Sequence, residues 1–279
     1  MAGGSRGRRD APASAPRGSG IVIEGKVALV TGGGRAIGAG IALSLAQAGA
    51  DVAVCSRTAE EVEQVAADIE ATGRQALALT VDVRDQDAVT AMVARVTQEL
   101  GQLDILVNNA GIIRVRPFLE ADLAHWEEVL AVNLTGAFIC SQAAARAMVA
   151  RGQGGRIINI SSFWANEAHE GNAAYCTSKA GLESLTSTLA LELAAHRITV
   201  NSLRVGPVPS QLFGEPETQK ASQAIRAALD TAGIPRPGPA PLGTGQPAEV
   251  GAAVVFLASD AATWITGASL HVDGGAHLR

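Results

Sequence analysis

In its first patterned region the chain reads Val27-Ala28-Leu29-Val30-Thr31-Gly32-Gly33-Gly34-Arg35-Ala36-Ile37-Gly38. The apolar start of this run predicts a buried strand, and the spacing of apolar residues over 36–48 predicts a helix directly after it. Glycines between the two elements let the backbone approach a phosphate group, and the N-terminus of the helix attracts its negative charge. The common G-x-G-x-x-G fingerprint is not met, because Ile37 occupies the last glycine position. The run therefore predicts a nucleotide phosphate site, with a plain glycine turn as the alternative.

The rest of the chain alternates short apolar runs with amphipathic stretches. Further strands are predicted over 51–55, 76–81, 105–107, 156–160, 198–203 and 269–272. Further helices are predicted over 59–72, 121–150 with a break near Thr135-Gly136, 175–195 and 248–258, and one more ends at Leu100. This alternation predicts a parallel sheet covered by helices on both faces. The predicted fold class is therefore a single doubly wound α/β domain of the Rossmann type.

Length and composition exclude several classes of protein. A chain of 279 residues that is 47% hydrophobic forms a packed globule rather than a disordered segment, and its net charge of -5 argues against nucleic-acid binding. Cys55, Cys140 and Cys176 lack the spacing of zinc ligands or redox pairs, so we expect no metal site and no disulfide framework. Reduced thiols predict a cytoplasmic location. The sequence has no apolar run of about 18 residues, so we expect no membrane span.

The N-terminal segment differs in composition from the rest. It is rich in Gly, Ala, Ser, Pro and Arg, and it lacks the apolar core of a secretory signal. A basic tail of this kind is compatible with nucleic-acid contact or with targeting. We interpret 1–22 as a flexible extension of a domain that covers 23–279. Deletion of the first 20 residues is expected to leave folding and activity intact.

The segment from Pro207 to Gln246 breaks the alternation. It is long and dense in Pro and Gly, and a short helix is predicted over 221–229. Connections of this length in compact domains usually serve function. We interpret 207–246 as a lid over a binding site.

Candidate ligand-binding residues follow the predicted strands. Because the carboxyl ends of parallel strands meet at one edge of the sheet, these residues are expected to form one site. After the second strand, an acidic residue would hold the ribose of NAD, whereas arginine accommodates the 2′-phosphate of NADP. Ser56 and Arg57 therefore favour NADP, and Arg35 offers a second positive charge; the alternative for Arg57 is a solvated residue at a helix start. The strand-end residues are Gly32, Gly34, Arg35, Ile37, Gly38, Ser56, Arg57, Asp82, Val83, Asn109, Ala110, Gly111, Ser162, Gly206, Pro207, Val208 and Ser210.

Tyr175 and Lys179 lie four residues apart, which places them on one face of a predicted helix. A free tyrosine has a pKa of about 10, and a nearby positive charge lowers it towards the range of general acid–base chemistry. Ser162 follows the fifth strand and brings a hydroxyl group to the same edge. The alternative for the pair is a solvated helix face.

Taken together, these motifs resemble the short-chain dehydrogenase/reductase family from about Gly25 to Gly275. The resemblance rests on Thr31 to Gly38, Val81-Asp82-Val83, Asn108-Asn109-Ala110-Gly111, Asn133, Ser162, Tyr175, Lys179, Gly206-Pro207, Thr266-Gly267-Ala268 and Val272-Asp273-Gly274-Gly275. It implies a seven-stranded parallel sheet, a nicotinamide cofactor, and a homotetramer or homodimer.

The resemblance also implies roles for individual residues. Tyr175 would exchange the substrate proton, Ser162 would bind the substrate oxygen, and Lys179 would bind the nicotinamide ribose and lower the tyrosine pKa. Asn133 would position a water molecule of the proton relay, although a helix bend is its alternative role. The residues expected along the cofactor are Asp82 and Val83 by the adenine, Asn109, Ala110 and Gly111 along its length, and Val208 and Ser210 at the carboxamide.

Several positions depart from the family pattern. Ala36 replaces a frequent glycine, and Val205 stands where a proline usually precedes Gly206. Phe163 and Trp164 follow the serine, where smaller residues are frequent, and we consider pocket walls and core packing for both. Glu167, His169 and Glu170 are interpreted as solvated loop residues rather than substrate contacts, and Cys176 as a packing residue.

The predicted function is an NADP-preferring oxidoreductase that interconverts a ketone and a secondary alcohol. Members that resemble the chain in overall pattern include 3-oxoacyl-carrier-protein reductases and sugar or polyol dehydrogenases, and Lys220, Arg226 and Arg236 in the lid are too few cations to decide for an acidic carrier. An NAD-dependent catabolic alcohol or sugar dehydrogenase is the first alternative. A non-catalytic NADP-binding sensor is less favoured because Asn133, Ser162, Tyr175 and Lys179 are all present. A lyase or epimerase of this fold is the third alternative, and the shorter chain and the glycine pattern argue against the sugar-nucleotide epimerases, which carry a larger substrate domain.

Overall fold

The computed structural model describes residues 21–210, 216–231 and 238–278. Its strands are β1 (Val27–Thr31), β2 (Asp51–Ser56), β3 (Ala76–Thr80), β4 (Ile105–Asn108), β5 (Gly155–Ser162), β6 (Ile198–Val205) and β7 (Ser269–Val272). All pair in parallel in the order β3-β2-β1-β4-β5-β6-β7. The predicted fold class and the number of strands are confirmed.

Helices cover both faces of this sheet. They are α1 (Ala36–Gln47), α2 (Ala59–Glu70), α3 (Gln86–Glu99), α4 (Leu123–Leu130), α5 (Gly136–Arg151), α6 (Ala173–Leu193), α7 (Pro216–Thr231) and α8 (Pro247–Ala258). Alternate strand residues face opposite sides, so one apolar cluster joins the sheet to α1, α2 and α8. A second cluster joins the other face to α3, α5 and α6. The inner strands are therefore buried on both sides, whereas the edge strands β3 and β7 are partly exposed.

The predicted helix over 121–150 is two helices joined by a π-helical turn. This turn, Ala131–Thr135, lies between α4 and α5. Asp122 caps α4 by accepting a hydrogen bond from the backbone N–H of His125 at 2.8 Å. The predicted break near Thr135-Gly136 is thus confirmed, and the π turn lets Asn133 reach the neighbouring loop.

The combined segment Leu123–Arg151 is long and apolar enough to span a membrane by composition alone. Half of its most apolar window is buried in the fold, where α5 packs against α3 and the sheet. Core helices of globular domains have the same character, so this segment is a core element in the described structure.

The two segments that the sequence sets apart are described in part. Residues 1–20 lie outside the described residues. Near the start of the described part, Ile23 packs into the core and donates its N–H to the Ala48 carbonyl at 2.9 Å. Within the predicted lid, α7 is longer than the expected helix over 221–229. Arg236 lies outside the described residues.

The chain reverses direction across the sheet between β1 and β4. From β1 the chain proceeds to β2 and β3, and it then returns to place β4 on the other side of β1. In open parallel sheets this switch opens a crevice at the carboxyl ends of the strands. Loops after β1, β2, β4, β5 and β6 converge on such a crevice here.

Candidate active site

A cleft with a volume of about 870 Å³ lies along the carboxyl edge of the sheet. Its walls include nearly every residue that the sequence predicts for the site: Gly32, Gly34, Arg35, Ile37, Gly38, Ser56, Arg57, Asp82, Val83, Asn109, Ala110, Gly111, Ser162, Tyr175, Lys179, Gly206, Pro207, Val208 and Ser210. Asn133 is the exception in this set, because it is buried behind the cleft. The strand-end pattern therefore predicted which residues come together.

The glycine turn after β1 leaves no room for side chains. A Cβ atom on Gly38 would lie 2.0 Å from the Gly32 carbonyl oxygen, and Gly32 itself has a φ of +62°. A Cβ on Gly34 would lie 2.9 Å from the Cβ of Glu61. The backbone at the start of α1 is consequently bare toward the cleft, as a phosphate cradle requires. Ala36 adopts a φ of +47°, which explains why glycine is frequent there.

Asn109 ties the end of β4 to this glycine turn. Its Nδ2 donates to the carbonyl oxygens of Thr31 and Gly32, both at 3.0 Å. Its backbone N–H donates to Thr31 Oγ1 at 3.0 Å, and the N–H of Ala110 donates to the same hydroxyl at 3.1 Å. The Asn109 side chain and Thr31 thus hold the wall of the cleft, and they leave the surface of Ala110 and Gly111 for a ligand.

The end of β2 carries Ser56 and Arg57, the two residues that the sequence predicts for a 2′-phosphate. Arg57 is exposed on the lip of the cleft, and Ser56 Oγ accepts a hydrogen bond from the Thr58 N–H at 3.1 Å. Arg35 forms an ion pair with Glu61, with 3.4 Å between Nη1 and Oε1. The sequence did not single out Glu61, which contributes a carboxylate to the same lip.

Asp82 and Val83 follow β3. The Asp82 carboxylate pairs with Arg84 at 2.6 Å, and this hydrogen bond lowers the pKa of Asp82. Val83 is buried, and it packs where a Cβ on Gly136 would lie 2.7 Å from its Cγ2. Asp82 is therefore charged at neutral pH, and its orientation is fixed by its neighbour two residues on.

Ser162, Tyr175 and Lys179 are all buried at the floor of the cleft. The Lys179 ammonium lies 5.7 Å from the centre of the Tyr175 ring and donates to the Ile160 carbonyl at 2.8 Å. Ser162 Oγ caps the following turn by accepting the N–H of Trp164 at 3.2 Å. The end of β5 and the first two turns of α6 thus bring the hydroxyl, phenol and ammonium groups together.

Burial reverses the expected shift of the tyrosine. It raises the pKa of Tyr175 to about 12, and the neighbouring Ser162 hydroxyl opposes that rise. Burial also lowers the pKa of Lys179 to about 8. The net shift of the Tyr175 pKa is therefore opposite to the one expected from its spacing to Lys179, because spacing along a helix does not reveal depth.

Asn133 is fixed by three hydrogen bonds. Its Oδ1 accepts the Ile112 N–H at 2.8 Å, and its Nδ2 donates to the Ile112 carbonyl at 2.9 Å and to Ser178 Oγ at 3.1 Å. Ser178 in turn donates to the Tyr175 carbonyl at 2.7 Å. Asn133 therefore links the π turn to the loop after β4 and to the helix of Tyr175, so the bend and the site depend on the same residue.

Aromatic residues form one wall beside Tyr175. The rings of Trp164 and Tyr175 meet edge to face with centres 5.9 Å apart, and the His169 ring stacks on Trp164 at 3.8 Å. Phe163 and Trp164 are half-buried and line the cleft, so both are pocket walls. Glu167, His169 and Glu170 also line it, and His169 and Glu170 are exposed, as expected for solvated loop residues.

The loop after β6 closes the opposite side. Gly206 donates its N–H to the Val272 carbonyl at 3.0 Å, and a Cβ there would lie 2.5 Å from the Asp273 Cα. Val205, at the usual proline position, is buried in the core. With valine in place of proline at position 205, the loop after β6 therefore still packs against the end of β7.

The sequence did not predict a buried polar network that lies behind the site. Glu183, one turn after Lys179 on α6, accepts hydrogen bonds from Ser202, Ser269 and Arg204. It is 9% exposed, and it joins α6 to β6 and β7. The sequence does place Glu183 four residues after Lys179, on the same helical face. Its hydrogen-bond partners lie far along the chain, so the network itself could not be predicted.

Comparisons with known proteins agree with this geometry. A family model described as short chain dehydrogenase matches residues 26–221. The chain is 39% identical over 255 residues to a 3-oxoacyl-[acyl-carrier-protein] reductase of Staphylococcus aureus, covering 91% of this chain and 98% of that protein. It is 37% identical over 259 residues to 2-dehydro-3-deoxy-D-gluconate 5-dehydrogenase of Escherichia coli, covering 92% and 97%.

A solved structure also matches across the whole fold. Carveol dehydrogenase from Mycobacterium avium, in complex with NAD, superposes with a TM-score of 0.82 at 29% identity and covers 93% of this chain and 100% of that chain. The chain belongs to the short-chain dehydrogenase/reductase family, and it is an NAD(P)-dependent oxidoreductase acting on alcohols or carbonyls.

Proposed function

We propose that the protein is an NADP-preferring enzyme that interconverts a ketone and a secondary alcohol, with Tyr175 as the general acid and base. The observation that carries this proposal is the convergence of Ser162, Tyr175 and Lys179, all buried, at the floor of one cleft. A non-catalytic cofactor sensor has no need for a phenol, a hydroxyl and an ammonium at one buried point.

The proposed chemistry follows from charge development. The nicotinamide group supplies or accepts the hydride when bound. Reduction of a carbonyl builds negative charge on its oxygen, which needs a hydrogen-bond donor and a proton source. In this proposal the Ser162 hydroxyl binds that oxygen and the Tyr175 hydroxyl gives it the proton. The high pKa of Tyr175 keeps the phenol protonated at neutral pH, ready for the reductive direction.

Lys179 and Asn133 complete the proposed machinery at different distances from the substrate. Lys179 lines the cleft, and its ammonium would bind the nicotinamide ribose and favour the phenolate in the oxidative direction. Asn133 does not line the cleft, so we assign it a positioning role through the Ile112 backbone and Ser178. From this position Asn133 would also place a water molecule of the proton relay.

The residues along the cleft fit a dinucleotide. The bare backbone at Gly32, Gly34 and Gly38 suits a pyrophosphate, since any Cβ atom there would collide with the fold. Beyond it, Arg57 and Ser56 supply a cation and a hydroxyl for a 2′-phosphate. The remaining contacts would come from Asp82 and Val83 near the adenine, Asn109, Ala110 and Gly111 along the middle, and Gly206, Pro207, Val208 and Ser210 at the nicotinamide.

An NAD-dependent alcohol or sugar dehydrogenase is the second candidate, because of Glu61. This carboxylate lines the same lip and pairs with Arg35. A carboxylate near the adenosine ribose favours NAD, so the preference depends on whether Arg57 and Arg35 outweigh Glu61.

Replacing Tyr175 with Phe tests the chemistry. We expect turnover to fall by at least about 10²-fold, the usual scale of general acid–base catalysis, with cofactor affinity retained. The assay follows NADPH absorbance over a panel of ketones and secondary alcohols, and cofactor affinity is measured by fluorescence titration. Thr177→Val, on an exposed position of the same helix, is the control. Turnover near the wild-type rate in Tyr175→Phe would refute the assigned role.

Replacing Arg57 with Asp tests the cofactor preference. We expect the ratio of kcat/KM for NADPH over NADH to fall by at least about tenfold, since one charge-assisted hydrogen bond is lost and a repulsive charge is added. Glu61→Gln, on the same lip, is expected to move the ratio the other way. An unchanged ratio in Arg57→Asp would show that another group reads the phosphate.

The wider context of the enzyme is part of the proposal. Large apolar side chains are exposed on α5 at Phe138 and Val149, on β7 at Leu270 and before β7 at Trp264, which supports a homotetramer or homodimer. Light scattering at micromolar concentration measures that state directly. The free thiols of Cys55, Cys140 and Cys176 fit a cytoplasmic location. In this proposal residues 207–246 serve as the substrate lid, and residues 1–22 are an N-terminal extension of the domain.

A further inference from the structure

A cluster of two histidines and one aspartate lies at the end of β7, outside the catalytic floor. Asp273 Oδ2 is 3.3 Å from His271 Nδ1 and 2.6 Å from His277 Nδ1. The candidate ligand atoms of the three residues all lie within 4.8 Å of one another. Two imidazoles therefore converge on one carboxylate oxygen.

The aspartate is held rigidly for this arrangement. Its side chain is 3% exposed, and its Oδ1 accepts the Gly275 N–H at 2.9 Å while Oδ2 accepts the His277 N–H at 3.1 Å. The histidine side chains are 30% and 32% exposed, and their rings lie tilted by 31° with centres 3.8 Å apart. The carboxylate is thus fixed from inside, while the imidazoles remain open to solvent on the outside.

The geometry points to a binding site for a divalent transition metal, with zinc as the expected ion, held by His271, Asp273 and His277. Imidazole nitrogen and carboxylate oxygen are common zinc ligands, and three protein ligands with one water complete a tetrahedron. With metal–ligand bonds of roughly 2.0–2.2 Å, tetrahedral ligands lie about 3.3 Å apart. The His271 contact already has that separation, and the His277 contact needs to lengthen by about 0.7 Å.

Binding would need no net loss of protons from neutral imidazoles. Each ring now places Nδ1 against the carboxylate, so Nδ1 carries the proton in the metal-free form. On binding, the proton moves to Nε2 and the Nδ1 lone pair becomes the ligand. The carboxylate supplies one negative charge, which offsets half of the charge of the ion.

The position of the cluster suggests what the ion would stabilise. His271 belongs to β7, whereas His277 lies in the last short turn, Ala276–Leu278. A shared ion would join this turn to the sheet. The Asp273 backbone also packs on Gly206 of the cofactor loop, and Ala276 lines the cleft. Metal binding would therefore stabilise the wall of the cofactor site without entering the chemistry.

The test uses the full-length protein after treatment with a chelator and desalting. Zn²⁺ is measured by elemental analysis after equilibrium dialysis, and Co²⁺ is titrated as a spectroscopic probe of tetrahedral nitrogen and oxygen ligands. We expect one ion per chain, a visible Co²⁺ absorption band, and a rise in the thermal unfolding midpoint with added Zn²⁺.

The variants assign the ligands. His277→Ala and His271→Ala are each expected to weaken Zn²⁺ binding by at least roughly tenfold and to remove the Co²⁺ band, since loss of even an outer-shell partner costs that much. His196→Ala, an exposed histidine on a different turn, should bind like the wild type. Absence of stoichiometric binding to the wild-type protein overturns the proposal, and so does binding that both cluster variants retain. The binding measurement on the wild-type protein does not depend on the variants, so it tests the proposal even if a variant fails to fold.

Discussion

Lys179 is 5% exposed, and its ammonium group donates to the Ile160 carbonyl at 2.8 Å. Burial lowers its pKa from 10.5 to about 8, so the folded protein binds this proton less tightly than the unfolded chain does. Between pH 8 and 10.5 the unfolded state holds more protons, and stability from this group rises with pH. We expect the free energy of unfolding of the protein with Lys179, relative to Lys179→Met, to rise by about 2 kcal/mol between pH 7 and pH 10.

Urea unfolding at a series of pH values measures this difference. The cysteines titrate in both proteins and cancel in this difference, and both proteins carry Tyr175→Phe because the phenol lies beside the Lys179 ammonium. Lys220→Met removes an exposed lysine on α7 and should give a flat difference over the same range. A flat difference for Lys179→Met as well would mean that the buried ammonium is compensated by its surroundings.

At the same scale, the sequence predicted which side chains meet but not how deeply they lie. The spacing of Tyr175 and Lys179 placed them on one helical face, and the structure brings both to the cleft. The predicted direction of the Tyr175 pKa shift was wrong, because the burial of the phenol depends on loops and on Trp164, which come from elsewhere in the chain. Local spacing encodes direction along a helix, whereas burial is a property of the assembled fold.

Helix α6 is attached to the sheet by Glu183. The carboxylate accepts hydrogen bonds from Ser202, Ser269 and Arg204, and Arg204 Nη2 lies 3.1 Å from Oε2. We expect Glu183→Gln to reduce the free energy of unfolding by about 2 kcal/mol or more, because a buried guanidinium loses its counter-charge. The measurement is urea unfolding at pH 7.

The pH dependence of the same variant provides an independent check. Burial raises the pKa of the Glu183 carboxyl, but its hydrogen bonds together outweigh burial and lower the pKa below the ordinary value of 4.5. The carboxylate therefore stabilises the fold above that value, and this contribution disappears as the pH falls through the folded-state pKa. The deficit of Glu183→Gln should accordingly shrink in acid. Glu192→Gln, exposed on the same helix, should be neutral throughout, and an equal deficit there would contradict the network argument.

The elements themselves were largely predictable from periodicity. Strand β1 and helix α1 begin where the apolar pattern begins, and the break before α5 was expected from Thr135-Gly136. The π turn and the role of Asn133 as a staple to Ile112 could not be derived, since they depend on a contact 21 residues away. Periodicity identifies elements, and long-range hydrogen bonds decide their exact shape.

Over the whole molecule, parallel topology turns scattered motifs into one cleft. Motifs separated by over a hundred residues, from Gly32 to Gly206, meet because each follows a strand of the same sheet. This part of the site was predictable from the alternation alone. The cluster of His271, Asp273 and His277 was not, because it forms only where the last turn folds back on the end of β7.

Helix α7 belongs to the proposed lid and contacts the cleft through few residues. In α7 Thr218 is buried, while Ile225 is half-buried, lines the cleft, and packs against the cluster that contains Tyr175 and Val115. Because this contact faces the substrate space, we expect Ile225→Ala to raise KM for the best ketone by about tenfold, since each buried methylene contributes about 0.8 kcal/mol. The unfolding midpoint and the affinity for NADPH should change little. Gln223→Ala, exposed on the same helix, is the control, and steady-state kinetics at saturating cofactor separates KM from kcat. An unchanged KM in Ile225→Ala would show that α7 covers the cleft without touching the substrate.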